Sequence, residues 1–528
     1  MWSTNRPKTN CLTEIFVDDA LRWAQRADEY LATHKKPIGS LHGLPISLKD
    51  QCRIIGLETI MGYVSWIGQK AKYNCTLVDI LLEAGGVPFV RTNVPQTLWW
   101  GETHNNVFGR TFNPYNRSLT CGGSSGGESA LLALGGSPLG IGTDIGGSVR
   151  IPTVFTGLYG LRPSTHRLPY WGLVNSCLGQ ESIHSVLGPM APSLTALREF
   201  TKAVIDRKPW LKDPTCVKIP WDQAAENLSD HGGSGAQLCF AFMWDNGIVK
   251  PTPPVTRALE ITKRALHLID WINLLHHELH VNIHRIYAAD GGEDATGDCA
   301  ASGEPLLHTL IPCPDEHEEF GYHFGPIPKP VTSDGRIFNH PPLKSNLERM
   351  SAGYGELGNK TPPSTGSSAE YETEEEPPGK ASAWGLWKLH AELRAHGKAY
   401  LDHWEATKSR TGTGRPVDAI ICPGAAYPAP PHGYNSDSFY TSLWNGLDYS
   451  SCTFPVTTVD VALDQKLHRH TFHNHEDEFI YSWYDPAIFR HAPVGLQLVG
   501  RTHEEEAVLS MTQIVMTALE VMNIQESR

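Results

Sequence analysis

GGSSGGESALLALGGSPLGIGTDIGGSVRIPTVFTGLYGLRP, residues 122–163, is the stretch on which the reading of this chain turns. It sets two adjacent serines, Ser124 and Ser125, in one glycine-flanked turn and a third, Ser148, at the end of a second. The missing Cβ atoms let reactants come close to both backbones. The second turn, TDIGGS from Thr143 to Ser148, offers successive backbone N–H groups from Ile145, Gly146, Gly147 and Ser148. Such a nest of donors suits an oxyanion forming beside a serine nucleophile, so the pattern points to hydrolysis.

A serine hydroxyl is a poor nucleophile until a neighbour takes its proton, and no histidine lies in this block. Upstream, GLPISLKD (Gly43 to Asp50) ends a short apolar run with Lys49, and Leu44 to Leu48 reads as a buried strand. Burial favours the neutral amine, which makes Lys49 a candidate general base near neutral pH.

These three elements resemble the amidase signature family, hydrolases built on a Ser-cisSer-Lys triad. Lys49 precedes Ser124 by 75 residues and Ser124 precedes Ser148 by 24, in the order that family's pattern has. The segments Thr92 to Gly123, Gln180 to Ser193 and Ala492 to Glu506 are similar to the same family, most of all to its fungal acetamidase-like, or general amidase, branch. The resemblance covers roughly residues 10–325 and 384–520.

The resemblance implies a role for each residue. Ser148 is the nucleophile, Ser124 the bridging serine after a cis peptide, and Lys49 the base. The N–H groups of residues 145–148 form the oxyanion hole. Ser125, Asp144 and Arg150 hold the loops, Asp144 and Arg150 through a charge-assisted pair. The product pair is a carboxylate with ammonia or an amine, and the chemistry asks for no metal and no cofactor. The region after TNVPQ lines the acyl pocket in this family, which nominates Thr97, Leu98, Trp99 and Trp100, with Tyr63, Trp66 and Trp444 behind them. Arg162 stands where lysine is commoner in the family's GLKP.

Each motif has a plainer reading. A glycine-serine run alone suits a linker or a phosphate cradle, yet this one lacks the GK[ST] ending of a P-loop and runs into an apolar helical period. His276, His280 and His284 recur every four residues in LLHHELHVNIH beside His277, but the string is not HExxH. A polar helix face is the expectation there, and a solvated loop for HRHTFHNHEDE (His468 to Glu478). Cys121, just before the first turn, reads as packing rather than as a reactive thiol.

Composition agrees with an enzyme of some size. The 528 residues are 40% hydrophobic and 19% charged, enough for a large core. A formal charge of −13 argues against nucleic acid or an anionic membrane as partner. The implied partners are a small-molecule amide substrate and, at most, a second copy of the chain in a homodimer. Eleven cysteines without paired spacing read as reduced thiols. The first residues lack the charged-then-apolar order of a signal peptide and no apolar run reaches about 18 residues, so a cytoplasmic location is expected.

Helical periods at 18–32, 75–86 and 384–407 alternate with strand patterns at 45–48 and 87–93. This predicts an α/β fold, the amidase signature fold, with a central mixed twisted β-sheet flanked by helices on both faces. A single domain over residues 1–528 is expected, interrupted at 326–382 by a low-complexity insertion rich in Pro, Ser, Gly and Glu that reads as disordered. Two alternatives stay open: the amide-hydrolysing A-like subunit of an amidotransferase that works with partner subunits, and a catalytically dead relative that only binds.

Overall fold

The computed structural model describes residues 8–307, 312, 327–341, 380–469 and 471–526. The first half of the chain runs β1 (Leu12–Ile15), α1 (Val17–His34), β2 (Pro45–Lys49), α2 (Thr76–Glu83), β3 (Val87–Thr92), the two-residue strands β4 (His104–Asn105) and β5 (Gly109–Arg110), α3 (Gly126–Ala133), β6 (Gly140–Asp144), α4 (Arg150–Thr156), β7 (Tyr159–Arg162) and β8 (Val186–Ala191). It continues with α5 (Leu194–Asp206), α6 (Gln223–Glu226), β9 (Phe240–Phe242), α7 (Pro253–Ala265), β10 (Leu268–Asp270), α8 (His276–Tyr287) and α9 (Glu293–Ser302). The remainder carries α10 (Ala383–Ala406), β11 (Ala419–Pro423), α11 (Phe439–Gly446), β12 (Ser451–Thr458), α12 (His475–Trp483), β13 (Pro493–Val499) and α13 (Glu505–Glu526).

Eleven strands form one sheet in the order β1-β3-β2-β6-β8-β7-β12-β13-β11-β9-β10. The β3-β2-β6 and β11-β9-β10 pairings are parallel, and the middle of the sheet, from β6 through β8, β7, β12 and β13 to β11, is antiparallel. The expected mixed sheet with flanking helices is the observed architecture. Its centre is apolar and dry: every residue of β13, PVGLQLV, is buried, and α4 and α7 pack against it. A strand hidden on both faces loses its alternation and reads as one apolar run.

The parallel segment positions the chemistry. Ligands of open α/β sheets gather beyond the carboxyl ends of parallel strands, because the loops that leave those ends share one side. Here β2 ends at Lys49, β3 ends at Thr92 opposite Lys49, and β6 ends at Asp144. Lys49, the loop after Thr92 and the turn 145–148 therefore leave the sheet together.

Of the insertion expected at 326–382, residue 326 and residues 342–379 lie outside the described residues. Residues 327–341 pack against the body of the protein. Phe338 lies edge-on to Tyr434 and Trp483, with centroids 5.0 and 6.4 Å away. Ser333 donates to Asp485 through both its N–H and its hydroxyl, at 2.9 and 2.6 Å. One aromatic anchor inside a polar composition is enough to dock the arm, and averaging over the whole low-complexity run hides it. Among the described residues, no helix is long and apolar enough to cross a membrane.

Candidate active site

Lys49 closes β2 with no solvent exposure. Its Nζ lies 2.7 Å from Ser124 Oγ and 2.8 Å from Thr143 Oγ1. Burial pulls its pKa down from 10.5 to about 7, against the negative charges of Asp144, Cys52 and Glu128, which raise it. The amine is therefore poised to gain and lose a proton near neutrality.

Ser124 follows a cis peptide after Gly123 and is nearly fully buried. Gly123 is required there by close approach: a Cβ on it would stand 2.6 Å from Glu102 N and Trp100 O. Ser125 N–H donates to the carbonyl of Ser148 at 3.2 Å, so the two serine turns touch through their backbones. Ser125 Oγ donates to the carbonyl of Thr143 at 3.3 Å. Ser125, expected to hold the loops, thus bonds to both Ser148 and Thr143.

The turn 145–148 takes its shape from Asp144. Its carboxylate accepts from Gly147 N (2.9 Å), Val149 N (3.1 Å), Asn445 Nδ2 (2.9 Å) and Arg150. Burial disfavours the charge, but the Arg150 guanidinium and these donors outweigh it and hold the carboxyl well below the usual range. Gly147 has φ +130°, and a Cβ on it would fall 2.2 Å from Thr441 Oγ1. From outside, Tyr287 donates its hydroxyl to the carbonyl of Ile145 (2.6 Å) and Thr441 to that of Gly146 (2.7 Å). The first bond fixes the peptide that carries the Gly146 N–H and the second the peptide that carries the Gly147 N–H.

One of the four expected oxyanion donors is corrected by this geometry. Gly147 N–H is committed to Asp144. The N–H groups of Ile145, Gly146 and Ser148 have no protein acceptor among the described residues, and these three residues line a cleft of about 100 Å³.

The cleft has an apolar wall of Leu98, Trp99, Trp100, Ile151 and Tyr287 and a polar wall that includes His280, His284 and Asn435 to Ser438. Trp99 meets Tyr287 edge to face at 5.4 Å. Of the residues nominated for a substrate pocket, Leu98, Trp99 and Trp100 line this cleft. Thr97 does not line the cleft: it is buried at φ +69°, and its hydroxyl accepts from Trp99 N at 3.3 Å. Trp444 is corrected too. It is fully buried, stacked on Tyr449 with centroids 6.2 Å apart and edge-on to Tyr400, and it is not among the residues that line the cleft. Tyr63 binds Ser176 and Trp66 binds Asp298, both away from the cleft.

The histidine helix is not the plain polar face expected. His276 is buried between the carbonyl of Asn246 and the hydroxyl of Tyr400, while His280 and His284 reach the cleft. Part of the 468–478 stretch is helix rather than loop, since Asn474 caps α12 and brings Glu476 to the cleft rim. Cys121 is fully buried and burial pushes its thiol far up, which leaves packing as its role. Arg162 binds Asp448 at 2.7 Å and the carbonyl of Tyr449 at 3.0 Å, a fork that a lysine would not reproduce.

Sequence reasoning missed Thr143, Gln51, Tyr287, Thr441, Asn445 and the polar wall at 435–438. Thr143 stood in the quoted turn. Gln51 follows Lys49 by two residues without a catalytic signature of its own, and the rest lie far off in sequence with no spacing that ties them to the serines.

The chain is similar to known amidases over most of its length. A family model described as Amidase matches residues 2–293 and 370–509. An acetamidase of Aspergillus oryzae (strain ATCC 42149 / RIB 40) is 38% identical over 511 residues, spanning 96% of this chain and 82% of that protein. An acetamidase of Emericella nidulans is 37% identical over 512 residues, with the same coverage. The solved structure of a fatty acid amide hydrolase superposes with a TM-score of 0.78 at 29% identity, covering 97% of this chain and 79% of that one.

Proposed function

The chain belongs to the amidase family and is an amide-hydrolysing enzyme, and we propose that it cleaves small linear carboxamides through a relay of Ser148, Ser124 and Lys49. The observation that carries this reading is the buried Lys49 amine, 2.7 Å from Ser124 Oγ, with its pKa brought down to about 7 by burial. A lysine held this way is a base that works at neutral pH.

In the relay, neutral Lys49 takes the Ser124 proton while Ser124 takes that of Ser148, whose oxygen attacks the amide carbon. Charge on the carbonyl oxygen meets the N–H groups of Ile145, Gly146 and Ser148, donors already aimed and worth roughly 3 kcal/mol each by analogy with other oxyanion holes. The proton returns along the same path to the departing nitrogen. Water then repeats the sequence on the acyl ester, releasing carboxylate and restoring Ser148.

The cleft supports the size of the substrate. At about 100 Å³ it is small beside the roughly 300–1,000 Å³ of sites for drug-sized ligands. Trp99 and Trp100 narrow the side that faces the serine turns. Short aliphatic or flat acyl groups fit such a space better than long chains.

The test is ammonia release from a series of short aliphatic, aromatic and aryl amides by the purified full chain. Turnover without ATP or added subunits is expected, with loss of at least about a thousandfold in Ser148→Ala and a retained unfolding transition. Near wild-type hydrolysis by Ser148→Ala rejects the relay.

A further inference from the structure

Gln51 is a buried side chain that the relay leaves unused, two residues beyond Lys49. Its two ends are committed in opposite directions. Nε2 donates to the carbonyl of Val174 at 2.7 Å, and Oε1 accepts the hydroxyl of Thr143 at 2.6 Å. The Val174 N–H returns a bond to the Gln51 carbonyl at 3.1 Å, so one residue holds Gln51 by both backbone and side chain. A backbone carbonyl accepts only, which decides that the nitrogen end of the amide faces Val174 and the oxygen end faces Thr143.

This has a consequence for the amine. A threonine hydroxyl has one proton, and that of Thr143 is spent on Gln51. Its oxygen can then only accept from Lys49 Nζ, 2.8 Å away. A neutral amine carries two protons and one lone pair, and with one N–H given to Thr143 the lone pair stays available to Ser124, the other neighbour of Nζ at 2.7 Å.

We infer that Gln51 is a positioning residue that sets the direction in which the Lys49 lone pair points: by taking the Thr143 proton it removes a competing donor and leaves Ser124 as the hydroxyl that feeds the base. The inference rests on the Lys49–Ser124–Ser148 relay. Asp144, Cys52 and Glu128 are the ionisable groups that act on Lys49 from β6, the end of β2 and α3, and none of them is altered by a change at position 51.

Two variants test it, each assayed as the purified full chain on a short aliphatic amide. Gln51→Leu fills the space without an acceptor and frees Thr143 to donate to the amine. The expected result is a kcat about 10- to 100-fold lower, the range seen when an outer hydrogen-bond partner that orients a functional group is removed. KM is unchanged, and the acid limb of the pH profile moves to lower pH because a donor on the lone pair favours the neutral form. Gln51→Glu keeps an acceptor for Thr143 and adds negative charge, so its acid limb moves to higher pH. Opposite displacements from one position are not the result of a merely structural role. A wild-type kcat and an unmoved acid limb in either folded variant overturns the inference. Full activity in Lys49→Met instead brings down the relay itself, which keeps the two failures apart.

Discussion

Arg150 grips both carboxylate oxygens of Asp144, Nε to Oδ2 and Nη2 to Oδ1 at 3.0 Å each, with neither side chain exposed to solvent. The pair joins the first residue of α4 to the last residue of β6, so it spans the turn that carries Ile145 to Ser148. A charge pair at this depth is costly to assemble and more costly to break singly. The turn inherits that rigidity.

Asp144→Ala should therefore strand the Arg150 charge and remove the acceptor of Gly147 and Val149. A loss of about 3–5 kcal/mol in unfolding free energy is expected, read from urea denaturation. A loss under about 1 kcal/mol shows that Gln497 and Asn445, which also bind Arg150, suffice without the carboxylate.

Activity should depend on pH through Lys49. In the proposed relay the neutral amine is the active form, and with its pKa brought down to about 7, kcat/KM should rise as pH increases through about 7 and level off above it. For stability the sign follows from the folded pKa being depressed below the 10.5 of the exposed chain. Between about 7 and 10.5 the unfolded chain binds the extra proton, and the Lys49 contribution to stability grows as pH rises through that window. Lys49→Met should be inactive yet melt several degrees higher at pH 7, since the cost of burying an amine disappears. A flat kcat/KM from pH 5 to 9 argues against lysine as the base.

Trp99 sets the reach of the cleft by packing on Tyr287 beside the serine turns. Trp99→Ala should raise kcat/KM for a longer acyl chain relative to a two-carbon one by about tenfold or more, as one or two methylenes in an apolar pocket are worth about 1–3 kcal/mol. An unchanged ratio places the acyl group elsewhere in the cleft.

Glu102 ties the two walls together from behind. Its carboxyl accepts from Gly433 N and Asn435 N at 2.9 and 3.1 Å, and Asn435 Nδ2 donates to the carbonyl of Gly101 at 2.7 Å. Burial raises its pKa to about 7. Glu102→Ala leaves these buried N–H groups unmet, each at about 1–3 kcal/mol. A lower melting temperature and a raised KM are expected together, because Asn435 to Ser438 line the cleft. A fall in melting temperature with KM unaltered limits Glu102 to stability.

The parts of the site that could be read beforehand share one property: each is local. The glycine-flanked serines, the nest of N–H groups after Asp144 and the lysine closing an apolar strand announce themselves within a few neighbouring residues. Tyr287, Thr441 and Asn445 gave no such signal, because each reaches the turn by a hydrogen bond to a backbone or carboxyl oxygen more than 140 residues away. Trp444 misled for the related reason that an aromatic residue on a helix near the site has two faces to choose from, and short-range pattern does not say which one the core takes. His280 and His284 erred in the other direction, with a polar stripe read as solvated when it borders the cleft.

Order along the chain was sufficient to indicate the α/β class and to bring Lys49, Ser124 and Ser148 forward together as candidates, since strand burial and glycine-flanked turns are encoded by a few neighbouring residues. Folding alone determined which residues line the cleft, the bond of Gly147 N–H to Asp144 and the path from Gln51 through Thr143 to Lys49. Each of these depends on which atom of one element finds an unpaired partner on another, and that choice is made only when buried polar groups have to be satisfied all at once.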